Sequence, residues 1–187
     1  SVRLERTRLA ARHRASTGPP MLLLLLALPF LMALALTTMR GASDRALAWV
    51  AALAPLVGLG LLAWLTPAML DGQVPSLRLP WIPQIGLFLH LRLDGLAWMF
   101  AGLVLGIGAL VVMYARYYLS AEDCAPRFFA CLLLFMGSML GVVLAGNLLL
   151  LVVFWELTSI SSFLLIGFWS HRQDAREGAR MALAITG

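Results

Sequence analysis

Of the nine carboxylates in this 187-residue chain, eight fall among the first twenty residues, in polar connections or at the ends of apolar runs; only Glu156 lies inside such a run. Counted from Asn147, where that run begins, Glu156 lies nine residues in. At ~1.5 Å per residue that is roughly 13 Å along a helix axis, near the middle of a hydrocarbon core. A charged side chain at that depth costs about 2.5–3.5 kcal/mol on insertion scales, so it should face a bundle interior, pair with a cation or be protonated. A carboxyl group whose neighbouring cation moves or titrates can act as a proton relay. Ser159 follows at i+3, and Thr158, Ser161 and Ser162 enrich this half of the helix in hydroxyls that could order a short water chain. The blander reading stays open: Glu156 as a hydrogen-bonded anchor, and serines that only let helices approach closely. His171, just beyond the run and beside Arg172, reads as a headgroup-level residue or as a proton exit for Glu156. His90 reads as a solvated or hairpin-stabilising residue.

No other chemistry is spelled out. There is no phosphate-binding glycine loop, hydrolytic triad or dinucleotide fingerprint. Cys124 and Cys131 have neither CxxC spacing nor a histidine nearby, so neither a metal, a disulfide nor a cofactor is expected. Hydrophobic residues make up 61% of the chain and charged ones 12%, against roughly 45–50% and 25% in soluble domains, which places it in the bilayer. All fourteen basic residues are arginines, set between apolar stretches rather than gathered in a patch, so the net charge of +5 speaks for membrane loops and against nucleic acid.

Positioning Glu156 takes a bundle, and the apolar runs supply one. Five helices of spanning length are expected at about 21–38, 46–70, 95–119, 127–145 and 147–169, with residues 177–187 as the first turns of a sixth. Pro55 and Pro67 should break the second, which lipid tolerates only where neighbouring helices satisfy the freed carbonyls. Gly102 with Gly106, and Gly137 with Gly141, have the spacing that permits close helix contact. Trp64, Trp81, Trp98 and Trp169 read as interface anchors. Between the second and third helices the period changes to two: Ile85, Leu87, Leu89, Leu91 and Leu93 alternate with Gly86, Phe88, His90, Arg92 and Asp94. Leu77-Arg78-Leu79 alternates upstream and Pro80 to Pro83 supply a reversal, which predicts an interfacial β-hairpin at about 76–93. The fold class is therefore an all-α polytopic membrane protein with one small hairpin.

Loop charge sets the orientation. The connections after the first, third and fifth helices hold Arg40, Arg45, Arg116, Arg127, Arg172, Arg176 and Arg180, against Arg78 and Arg92 on the other side. The positive-inside rule puts the former in the cytoplasm and the hairpin outside. Residues 1–20, expected to be a disordered basic tail, carry five arginines and would cancel this bias. Two readings stand: translation begins at Met21 and the tail is not native, or the basic tail is genuine.

The stretch Phe154-Trp155-Glu156-Leu157-Thr158-Ser159, continuing through Ser162-Phe163-Leu164-Leu165-Ile166-Gly167-Phe168-Trp169, resembles the fifth helix of the antiporter-like subunits. Multisubunit Mrp-type sodium/proton antiporters and the proton-pumping arm of respiratory NADH dehydrogenase share this superfamily. Leu91-Arg92-Leu93-Asp94-Gly95-Leu96, Tyr114-Ala115-Arg116-Tyr117-Tyr118 and Arg127-Phe128-Phe129 resemble the same family, and the similarity runs from about Leu22 to Gly187. The wording around Glu156 favours the A-type branch of the Mrp subunits. The resemblance implies a fold of roughly fourteen or more helices, with inverted five-helix repeats that each hold a broken helix at the ion path. It implies that Glu156 is the helix-five glutamate, which in the family pairs with a lysine on helix seven. This chain has no lysine, so residues 21–187 read as the N-terminal part of an antiporter-like domain that does not transport alone. The implied setting is a bacterial inner membrane. The implied partners are the other antiporter subunits, the lipid bilayer, and the transported sodium and protons. Two alternatives remain: a proton-translocating subunit of an NADH dehydrogenase complex, or a purely structural membrane subunit.

Overall fold

The computed structural model describes residues 2–39, 41–82, 84, 87–118 and 124–169, of which 2–17, 44, 81, 82, 87, 118 and 169 by their backbone alone. Five long helices follow one another: α1 (Val2–Thr38), α2 (Asp44–Leu70), α3 (Gly95–Tyr118), α4 (Ala125–Leu144) and α5 (Leu148–Ile166). A single 3-10 turn, Gly167–Trp169, continues α5. All five carry a stretch long and apolar enough to cross a membrane. The two strands β1 (Ser76–Ile82) and β2 (Leu87–Arg92) pair antiparallel between α2 and α3, with Leu77 opposite Leu91 and Leu79 opposite Leu89. The hairpin and the fold class follow the sequence expectation. The expected sixth helix at 177–187 lies outside the described residues.

Local sequence explains where the helices start. The Ser43 hydroxyl accepts the Ala46 N–H at 3.3 Å ahead of α2, and the Asp94 carboxylate accepts the Ala97 N–H at 2.9 Å ahead of α3. Each satisfies a first-turn donor that no helical carbonyl can reach. α2 is continuous despite Pro55 and Pro67, so the expected breaks do not interrupt it.

The largest departure from expectation is at residues 2–20, which continue α1 as helix rather than forming a disordered tail. Arginine, leucine, alanine and glutamate are all good helix formers. The extension runs through Pro19 and Pro20, which donate no backbone N–H to the turn before them, so propensity alone does not account for it.

α4 is the hub, packed against α1, α2, α3 and α5. Its two spaced glycines serve as notches for aromatic rings. The Phe30 ring of α1 lies 2.9 Å from where a Cβ at Gly137 would sit, and the Phe154 ring of α5 lies directly over Gly141. The two rings are themselves 6.4 Å apart. In α3 the outcome differs: nothing lies within 4 Å of a Cβ at Gly106, and Gly102 has only ordinary contact with Leu62. The close approaches fall instead at Gly58, against Leu105, and at Gly108, against Met136. Spacing alone marked the wrong pair in α3, because a glycine permits close contact without requiring it.

Candidate functional site

α5 is fixed at its start by a junction the sequence analysis did not single out. The Asn147 side chain accepts the Leu150 N–H at 2.7 Å through Oδ1 and donates to the Phe88 carbonyl at 2.9 Å through Nδ2. One amide therefore caps α5 and ties it to β2. Beside it the Gly146 N–H donates to the His90 carbonyl at 2.7 Å, and Leu91 forms a bridge with Ala145. A side chain at Gly146 would meet the His90 ring at 2.7 Å, so any larger residue has to displace that ring for the α4–α5 turn to lie on the hairpin. The available signal was an asparagine just ahead of an apolar run, the ordinary mark of a helix start. Position 147 thus caps the helix rather than beginning it, and His90 is a packing residue of the junction.

From this anchor Glu156 is the ninth residue of a 19-residue helix, close to its midpoint. It is exposed, and so are its face neighbours Val152, Val153 and Ile160. Among the described residues no cation is paired with it: the ion pair found, Arg92 with Asp94 at 3.6 Å, belongs to the hairpin end. α5 packs mainly on α4, with Phe154 and Ser161 buried, and its Glu156 face is left uncovered.

Ser159 is buried beside that face. Thr158 and Ser161 lie roughly 140–160° around the helix from Glu156 at about 100° per residue. The Thr158 hydroxyl donates to the Phe154 carbonyl at 2.8 Å, and Ser161 is within hydrogen-bond distance of the Leu157 and Thr158 carbonyls. These donors are used on the helix's own backbone, as hydroxyls in apolar surroundings usually are. The geometry therefore brings Ser159 near Glu156 and separates Thr158 and Ser161 from it. His171 lies outside the described residues. The described residues include no cluster of three or more metal-ligating side chains.

Residues 81–129 match the family model described as the NADH-ubiquinone oxidoreductase (complex I) chain 5 N-terminus. Residues 145–187, which include Glu156, match the model described as the NADH:quinone oxidoreductase/Mrp antiporter transmembrane region. A probable K(+)/H(+) antiporter A/B subunit of Rhizobium meliloti (strain 1021) is 58% identical over 142 residues, 76% of this chain and 14% of that protein. The chain belongs to the antiporter-like family, in its Mrp A-type branch. A second member, the Na(+)/H(+) antiporter A1 subunit of Staphylococcus aureus, is 45% identical over 140 residues, 75% of this chain and 18% of its own length. In the structure of the Mrp complex from Dietzia sp. DQ12-45-1b a chain superposes with a TM-score of 0.75 at 32% identity, over 88% of this chain and 17% of that one. The 187 residues of this family member thus span less than a fifth of each of these relatives.

Proposed function

We propose that this chain is part of a membrane subunit of a multisubunit monovalent cation/proton antiporter, and that Glu156 lies on its proton path. The observation that carries this reading is a lone carboxylate midway along an apolar helix, on a face that the other described helices leave uncovered. Within a bilayer such a group needs a partner, and the open face is where one would approach. Because the sequence has no lysine, a cation facing Glu156 would be an arginine or histidine of this chain or come from another segment or subunit. Ser159 is the nearest candidate to hand a proton on, with His171 as an exit toward the arginine-rich side. Relatives named for sodium and for potassium exchange support antiport and leave two ions to be compared. We assign the subunit to a bacterial inner membrane, with the other antiporter subunits as partners and residues 21–187 as one part of the transmembrane domain.

The family-model descriptions also name NADH:quinone oxidoreductase, which supports a second reading, that of a proton-translocating redox subunit. Identities of 45–58% to antiporter subunits favour the first.

The deciding experiment measures sodium- and potassium-dependent pH change in everted vesicles carrying the complete subunit with its partners, wild type against Glu156→Gln at equal expression. Lost exchange with intact assembly supports the reading. Unchanged exchange makes Glu156 a structural tether and removes it from the path.

A further inference from the structure

The α2–α3 seam, remote from Glu156, holds an open apolar groove of about 360 Å³. Small side chains form part of its wall, Ala48 and Ala52 on α2 and Ala109 on α3, and Leu56 and Leu110 flank them. At one end stands Arg116, half-buried in the last turns of α3. Its guanidinium carbon lies 5.7 Å from the centre of the Trp49 ring and 5.4 Å from that of Tyr117, within cation–π range of both. No carboxylate among the described residues pairs with it. Arg45, exposed one turn before Trp49, adds a second positive charge at the same end of α2.

We propose that this groove is a binding site for one anionic phospholipid, its acyl chain along the alanine-lined furrow and its phosphate at Arg116. Charge and position decide the occupant. A groove on the outside of a membrane-spanning helix pair is filled by hydrocarbon unless protein covers it. An arginine within cation–π range of two aromatic rings at the end of that groove offers donors at headgroup level, and its planar fork suits phosphate oxygens. Arg116 also lies on the arginine-rich side, where anionic lipid attracts basic side chains. A helix from elsewhere in the same subunit or from a neighbouring protein would fill the furrow equally well, but it would have to bring a carboxylate to neutralise Arg116. The inference does not depend on the role proposed for Glu156.

The test is native mass spectrometry of the complete complex, delipidated in mild detergent and titrated with phosphatidylglycerol or phosphatidylcholine. Wild type should retain one phosphatidylglycerol per complex beyond the count in Arg116→Gln. That variant should lose roughly fivefold in preference for the anionic headgroup, as expected for one interfacial cation. Arg116→Lys, which keeps the charge and loses the planar fork, should restore only part of the preference, and Ala109→Phe, which fills the furrow, should displace both lipids. Equal retention of the two lipids by wild type overturns the proposal without recourse to any variant. So does a crosslink from Ala52→Cys to another protein of the complex or to another segment of the same subunit, which would show that protein occupies the groove.

Discussion

At the scale of single residues, glycine does different work in α3 and α4. Phe154 rests on Gly141 with no room for a methyl group. Gly141→Ala should therefore destabilise the complete subunit by about 1–3 kcal/mol, the usual range for overpacking a tight contact. Gly106→Ala meets open space and should be neutral or stabilising by up to about 1 kcal/mol, since it only narrows the freedom of the unfolded chain. Thermal unfolding of the two variants in detergent checks the contrast, and equal losses would contradict the packing described. Asn147→Ala removes both the α5 cap and the tie to Phe88. A cost of about 0.5–2 kcal/mol is expected from the cap, seen as faster hydrogen exchange at Leu150. Much of this was readable beforehand: Glu156 stood out because a lone carboxylate inside an apolar run is expensive. The aromatic occupants of the α4 notches were not readable, because nothing in the spacing of Gly137 and Gly141 says which side chain arrives from another helix.

At the scale of elements, the hairpin and the α4–α5 turn form one joint, in which the Gly146 N–H, the His90 carbonyl and the Asn147 amide share the work. Gly146→Ala should loosen it, and His90→Ala added on top should recover part of the loss, because the clash is with the His90 ring. Non-additivity of about 0.5–3 kcal/mol in the double-mutant cycle is expected for groups in contact. α5 poses a second question, since Ile160, on the Glu156 face, is 49% exposed while Leu103 on α3 is 54% exposed. If Glu156 needs a partner, that face is covered in the full assembly and the Leu103 face is left to lipid. Nitroxide labels at Ile160→Cys and Leu103→Cys in the complete complex should differ in their accessibility to oxygen, with Ile160 the more protected. Equal accessibility would leave Glu156 facing lipid and count against a proton path.

For the molecule as a whole, arginine placement sets the expected orientation. Cys124 is exposed, and it should be labelled by a membrane-impermeant maleimide only from the cytoplasmic side, as should Ser43→Cys in a Cys124→Ser background. Gln73→Cys in the same background should label only from outside, where the hairpin is expected. The opposite pattern would reverse the topology and move the Arg116 lipid site to the outer leaflet.

The sequence by itself determined the five spans, the hairpin and the singular position of Glu156, because each follows from local physics. An apolar run near membrane thickness must be helical to satisfy its backbone, and a period of two makes a strand. A residue's place along a helix is also simple counting. The tertiary structure alone decided which faces meet. It placed α4 at the centre and Phe30 and Phe154 over the α4 glycines. It bound the hairpin to the start of α5, and it turned Thr158 and Ser161 away from Glu156 while leaving Ser159 beside it. In lipid there is no hydrophobic force to mark the inner face of a helix, and helices associate through shape and hydrogen bonds between residues far apart in the chain. A pattern along one helix therefore predicts that it spans, while its neighbours decide what each side touches.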